Sequence, residues 1–183
     1  MYIVTGGAGF IGSNLIRMLT KVTKEDVLVV DNLSDGKKFL NISDLTIADY
    51  MDQDEFLSLI KNDDSFLSNV KCVFHQGACS DTTEWDGRYM MKNNYTFSKI
   101  LLNACLAKNV RFIYASSAAV YGSSMGFKEQ KKNEQPLNIY GYSKLLFDQY
   151  VRKLKLTNEQ QVVGLRYFNV YGPGESHKGS MAS

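Results

Sequence analysis

Apolar positions along this chain repeat with two periods, and the periods take turns. Tyr2-Ile3-Val4-Thr5 is a short β-prone run. Ile11, Leu15, Ile16 and Leu19 then recur at helical spacing over residues 11–21. Val27-Leu28-Val29-Val30 is apolar throughout, as in a strand of a parallel sheet covered on both faces. Leu45 to Ala48 reads as a weaker strand, Glu55 to Lys61 as a helix and Val70 to His75 as a strand. A long helical pattern spans residues 88–108 through Tyr89, Tyr95, Ile100, Leu101, Ala104 and Cys105. Arg111 to Ala115 predicts a strand, residues 140–155 a helix, and Gln161 to Arg166 a last strand. This alternation predicts an α/β fold with a doubly wound parallel sheet. Right-handed crossovers then set the strand order 3-2-1-4-5-6.

Composition narrows the function without naming it. A length of 183 residues, 44% of them hydrophobic, is enough for one buried core. The net charge of +2 is small and the charges are scattered, so nucleic acid is not an expected partner. The densest group, Lys128 to Glu134, mixes signs and reads as a solvated loop. Cys72, Cys79 and Cys105 form no Cys-x-x-Cys pair and the two histidines lie far apart. No metal site is expected, and the cysteines read as buried free thiols in a reducing compartment. No apolar run approaches the roughly 18 residues of a membrane span, so the expected location is the cytoplasm.

The first strand runs into "TGGAGFIG", which supplies Gly6, Gly9 and Gly12; Gly7, Gly9 and Gly12 also satisfy G-x-G-x-x-G. Between a strand and a helix, such glycines allow a tight turn and close approach of a pyrophosphate to the free N–H groups of the helix start. Asp31 ends the second strand 19 residues after Gly12, where an acid can accept hydrogen bonds from an adenosine ribose. Its charge favours NAD, whereas Lys37 and Lys38 could neutralise the 2′-phosphate of NADP. Residues 1–168 are expected to form this NAD(P)-binding Rossmann domain.

Chemistry is suggested by "IYGYSK". Tyr140 and Lys144 are four apart and share a helix face, whereas Tyr142 points to a nearly opposite side. An ammonium beside a phenol stabilises the phenolate, and with the added positive charge of a bound oxidised nicotinamide Tyr140 is expected to be an acidified base. Ser116 and Ser117 follow an apolar strand, at the end of a parallel sheet where ligands sit. Tyr, Lys and Ser together suit hydride chemistry on an alcohol.

"TGGAGFIG", "YASSAAVYG" and "YGYSK" resemble the extended short-chain dehydrogenase/reductase family, in its sugar-nucleotide branch, over essentially the whole chain. "GACSDTTEWDG", "YMMKNNY", "RYFNVYGP" and "HKGSMAS" strengthen that resemblance, which implies an epimerase acting on an ADP-heptose at C6″. It implies that Phe10 and Ile11 flank the pyrophosphate, and that Asp31, Asn32 and Lys38 hold the ribose and its 2′-phosphate, hence NADP. Gln76, Gly77, Ala78, Cys79, Ser80 and Asn93 would line the cofactor cleft, and Val170 would contact the nicotinamide end. Ser117 would bind the sugar hydroxyl, and Asn169 and Ser180 the substrate. Lys178 would act with Tyr140 as a second acid/base group, as inversion at a carbon needs proton donors on both faces.

One departure is Gln53, where related enzymes often place a cofactor-contacting lysine. Ala118 and Ala119 stand where the related dehydratases carry Asp-Glu, which disfavours dehydration. The resemblance also implies a homo-oligomer, a pentamer. Family members are longer, so residues 169–183 are expected to begin a truncated substrate-binding domain and the 183-residue chain to have little or no turnover. A UDP-hexose 4-epimerase and a non-catalytic dinucleotide-sensing module are the alternatives. A sensor has no need for Ser117, Tyr140 and Lys144 together.

Overall fold

The computed structural model describes residues 1–63 and 65–175. Six strands form one parallel sheet: β1 (Tyr2–Thr5), β2 (Val27–Asp31), β3 (Asp49–Asp52), β4 (Cys72–His75), β5 (Arg111–Ser117) and β6 (Val162–Tyr167). Their order is β3-β2-β1-β4-β5-β6, the one expected from right-handed crossovers. The chain reverses direction across the sheet between β1 and β4, and such a switch point opens a crevice at the strands' carboxyl ends.

Alternation along β1 divides the core into two. Val4 faces α1 (Phe10–Val22), where Ile16 and Leu19 pack with Val27 and Val29. Ile3 faces the other way, into a larger cluster built by α2 (Gln53–Asn62), α4 (Phe97–Ala107) and α5 (Ile139–Lys153). Phe56, Leu101, Leu102, Cys105 and Phe147 close over Leu28, Val73 and Phe112 there. Fully burying such a side chain is worth about 1.5–3 kcal/mol, so the two clusters hold the sheet between its helices. Cys72 and Cys105 are buried free thiols, and Cys79 is half-buried. Among the described residues, no helix is long and apolar enough to cross a membrane.

The structure departs from the periodicity in three places. Residues 45–48 are not a strand: Leu45 and Ile47 pack irregularly onto the α1 cluster, Ala48 N–H donates to the Val27 carbonyl, and the strand register with β2 begins at Asp49. β3 is an edge strand whose Tyr50 and Met51 point to opposite clusters, so two carboxylates at its ends cost little burial. The single helix expected over 88–108 is a short α3 (Gly87–Met90), a π-helical turn (Met91–Thr96) and α4. The segment 128–134 is not wholly solvated. The Glu134 side chain is only 4% exposed, turned in to pair with Arg152 on α5 and Arg166 on β6.

Candidate active site

β1 ends in a turn that has no room for side chains. Gly6 has φ +65°, and a Cβ there would lie 2.6 Å from Gly77 Cα. A Cβ on Gly12 would lie 2.2 Å from the Gly6 carbonyl oxygen. The start of α1 therefore sits against backbone on two sides. Gly9 is its N-cap and no side chain caps it. The start of α1 lies at one end of a cleft, where a helix N-terminus favours an anion.

That cleft has a volume of about 710 Å³, within the usual range for ligand sites. One end is lined by Gly6, Gly9, Phe10, Ile11 and Gly12, with Asp31 and Lys38 beyond them. The loop after β4 forms a wall with Gln76, Gly77, Ala78 and Ser80. The far end holds Ala115, Ser116, Ser117, Tyr140, Lys144, Tyr167, Phe168, Asn169 and Val170.

Asp31 is buried and accepts three hydrogen bonds. Oδ2 accepts from Ala8 N–H at 3.1 Å, and Oδ1 from Leu33 N–H and the Lys38 ammonium, each at 3.2 Å. The cation neutralises the carboxylate that would otherwise repel a 2′-phosphate. Asn32 turns away, its Oδ1 accepting from Ser34 N–H and Oγ. Gln53 opens α2 and is not in the lining.

At the far end, Asn138 caps α5 by accepting from Gly141 N–H at 2.8 Å. Gly141 is needed between the two tyrosines: a Cβ there would meet the Ala119 carbonyl oxygen at 2.6 Å. This contact brings the start of α5 down onto the end of β5. Tyr140 thereby enters the cleft, which Ser117 also lines, whereas Tyr142 is 46% exposed. Ser117 Oγ also accepts from Ala119 N–H at 3.1 Å. Ser116 points its hydroxyl to Asp148 at 3.0 Å and offers the cleft no free hydroxyl. Lys144 is buried and donates to the Ala115 carbonyl at 2.9 Å.

Lys144 alone does not make Tyr140 acidic. Burial raises its phenol above the ordinary value, its interaction with Ser117 pulls it down, and neighbouring Cys79 adds to the rise. Lys144 does not offset this. Burial pushes its ammonium down to about 8, while Asp148 and Cys79 hold it up. Near neutral pH the phenol is protonated and the ammonium is close to titrating.

Several expected residues are not where the sequence reading put them. Asn93 donates to the Tyr89 carbonyl of its own helix at 2.9 Å and does not line the cleft. Cys79 is also absent from the lining. Its peptide is instead gripped by Asn94, which accepts from Cys79 N–H at 2.8 Å and donates to the Cys79 carbonyl at 2.9 Å. The amide of Asn94 donates to Ser143 Oγ at 3.1 Å as well, and Ser143 donates to the Tyr140 carbonyl at 2.7 Å. The π turn is what places this asparagine inward. Lys178 and Ser180 lie outside the described residues.

A second buried chain braces the same wall. Ser98 Oγ donates to the Asn94 carbonyl at 2.5 Å, so toward His75 it can only accept. His75 Nε2 therefore carries the proton, and Nδ1 accepts from Thr5 Oγ1 at 2.6 Å. Thr5 in turn accepts from Gly77 N–H at 3.3 Å. His75 is neutral, since burial and the Lys144 charge lower it to about 3.

The cleft fits a dinucleotide. A helix N-terminus free of side-chain caps stands at one end, a phenol–ammonium pair at the other, and glycines at the narrowest points. Gln76, which lines it, has a buried Oε1 without a hydrogen-bond partner.

Known proteins share this arrangement. The model of the NAD dependent epimerase/dehydratase family matches residues 2–183. The ADP-L-glycero-D-manno-heptose-6-epimerase of Helicobacter pylori superposes with a TM-score of 0.87 at 37% identity, covering 100% of this chain and 59% of that one. The UDP-N-acetylglucosamine 4-epimerase of Methanobrevibacter ruminantium, solved with UDP-N-acetylmuramic acid, gives 0.81 at 29%, covering 100% and 59%. The UDP-glucuronic acid 4-epimerase of Bacillus cereus, solved with NAD, gives 0.76 at 30%, covering 94% and 57%. The chain thus spans somewhat over half the length of these relatives. It belongs to the NAD dependent epimerase/dehydratase family.

Proposed function

We propose that the chain carries the cofactor-binding and proton-transfer part of an NADP-dependent sugar-nucleotide epimerase. The substrate we assign is ADP-glycero-manno-heptose, inverted at C6″ between its D-glycero and L-glycero forms for lipopolysaccharide inner-core synthesis. One observation carries the reading: Tyr140, together with Ser117 and one turn from buried Lys144, stands at one end of a cleft whose other end is a helix N-terminus. The likeness to the H. pylori heptose epimerase supports the choice of sugar.

The pyrophosphate would rest on the first-turn N–H groups of α1, beside Phe10 and Ile11. Asp31 would hold the adenosine ribose. Lys38, already on that carboxylate, would meet a 2′-phosphate, which is why we favour NADP over NAD. A bound nicotinamide would supply the acceptor for the carbon-bound hydride and give it back, so no net redox change results. The protein's own part is proton handling. The charges of Lys144 and of a bound oxidised nicotinamide would together lower the phenol's pKa, so that Tyr140 loses its own proton to solvent and, as phenolate, takes the proton of the sugar hydroxyl, which Ser117 orients. Lys144 adds a positive charge near the developing anion. Asn169 and Ser180 are proposed to hold the substrate, and Lys178 to serve the opposite face.

UDP-sugar 4-epimerases are also similar to the chain, and a UDP-hexose is the second reading. Two measurements test the proposal. Titrating this chain with NADP+ and NAD+ should show tighter NADP+ binding, with Lys38→Ala weakening NADP+ about tenfold and NAD+ far less. In a protein of the relatives' full length that carries this sequence, ADP-heptose should be epimerised, and Tyr140→Phe should abolish turnover while leaving NADP+ binding intact. Turnover of UDP-galactose but not ADP-heptose would select the second reading. Cofactor binding without turnover of either sugar would point to a sensor.

A further inference from the structure

Three side chains of α5 stand four residues apart on one face: Tyr140, Lys144 and Asp148. The proposed chemistry uses the first two. Asp148 lies deeper, and its carboxylate accepts four hydrogen bonds. The Tyr114 hydroxyl donates to Oδ1 at 2.9 Å. Ser116 Oγ donates to Oδ2 at 3.0 Å, and Arg166 donates to it through Nε at 3.1 Å and Nη2 at 3.0 Å. Tyr114 and Ser116 flank Ala115, whose carbonyl accepts the Lys144 ammonium. Lys144 and Asp148 thus grip three consecutive residues of β5, immediately before Ser117. Arg166 is the register partner of Ser116 on β6, so the grip reaches a third element.

Lys144 meets a small set of groups. Asp148 and Tyr140 face it from its own helix, Cys79 from the loop after β4, and neutral His75 from β4. Arg166 is tied to Asp148 and, with Arg152, to Glu134. Asp148 is the largest influence keeping Lys144 charged against the cost of burial.

We infer that Asp148 is a positioning residue: it clamps α5 to β5 so that Tyr140, Lys144 and Ser117 keep one register. The inference rests on the cofactor-cleft reading above. Its test uses the 183-residue protein with Asp148→Asn, Asp148→Glu and Glu134→Gln, labelled at the lysine side chains. Lys144 is assigned by the signal lost in Lys144→Arg and titrated by NMR, with NADP+ affinity measured beside it.

In wild type, Lys144 should titrate near 8. Asp148→Asn should lower that by about one pH unit or more, tenfold in acidity, and weaken NADP+ binding above neutral pH first. Asp148→Glu should restore the titration. Glu134→Gln removes a charge from the same ion cluster but not the clamp. It should lower thermal stability and leave Lys144 where it was. An unchanged Lys144 in folded Asp148→Asn would overturn the inference, as would an equal fall in Glu134→Gln. If Asp148→Asn does not fold, Asp148→Glu decides, since a fall of about one unit with the carboxylate retained would be fatal to the idea. Failure of wild type to bind NADP+ would instead count against the cofactor reading, and leaves the Lys144 titration readable.

Discussion

Replacing Asn94 with leucine keeps a side chain of similar size and deletes the amide that joins the cleft wall to the catalytic helix. Four contacts go: Cys79 N–H at 2.8 Å, the Cys79 carbonyl at 2.9 Å, Ser143 Oγ at 3.1 Å and the weaker one to Met90 Sδ at 2.8 Å. Asn94 is 1% exposed, so water cannot replace them without opening the structure. Stranding the buried N–H costs about 1–3 kcal/mol, and losing the two contacts to oxygen acceptors about 0.5–1.5 kcal/mol each. The total is about 2–6 kcal/mol. For a domain of this size each kcal/mol moves the melting temperature by about 2–4 °C, so a fall of about 5–20 °C is expected. Asn93→Leu is the matched control, because Asn93 bonds only to the Tyr89 carbonyl of its own helix among the contacts found, and should cost under about 1 kcal/mol. Thermal unfolding by circular dichroism reads both, and NADP+ titration of the folded variants should show a loss confined to Asn94→Leu. Equal effects from the two substitutions, or an Asn94→Leu variant within about 0.5 kcal/mol of wild type, would refute the account of this hub.

Other perturbations follow from the same geometry. Gly12→Ala puts a Cβ 2.2 Å from the Gly6 carbonyl oxygen, where only backbone could yield. It should cost about 1–3 kcal/mol in chemical denaturation and weaken dinucleotide binding, whereas Gly36→Ala, with nothing within 4 Å, should do neither. His75 is depressed from 6.5 to about 3 in the folded protein. Its contribution to stability is therefore full above 6.5 and is lost as pH falls toward 3, by up to about 1.4 kcal/mol per pH unit. His75→Asn should remove that part of the acid sensitivity in denaturation curves taken between those limits. The imidazole of wild type should show one Nε2-protonated tautomer, with no titration between pH 5 and 8 by NMR.

How far the sequence could be read depended on whether a feature lies along the chain or across it. The glycine turn, the apolar β2 and the four-residue spacing of Tyr140 and Lys144 are local patterns, and they led to the sheet order and the cleft. β3 was misplaced because Leu45 and Ile47 are apolar for packing against α1, while the strand itself is Asp-Tyr-Met-Asp at an edge. The π turn leaves no mark in the periodicity, so "NN" could not say which asparagine points inward. Glu134 sits in a charge-rich segment that looks solvated until Arg152 and Arg166 are brought to it from α5 and β6. Tyr140 was expected to be acidic beside both a cation and a bound nicotinamide, and the cation alone does not make it so. Burial, which spacing does not reveal, acts on both members of the pair and moves each toward neutrality.

The most direct measurement is a crystal structure of this protein with NADP+ bound. The account predicts the pyrophosphate on the N–H groups of Phe10 to Gly12, the 2′-phosphate within reach of Lys38, and the nicotinamide beside Tyr140 and Lys144. A dinucleotide bound elsewhere, or seated in the cleft with its adenine end at Tyr140, would contradict it.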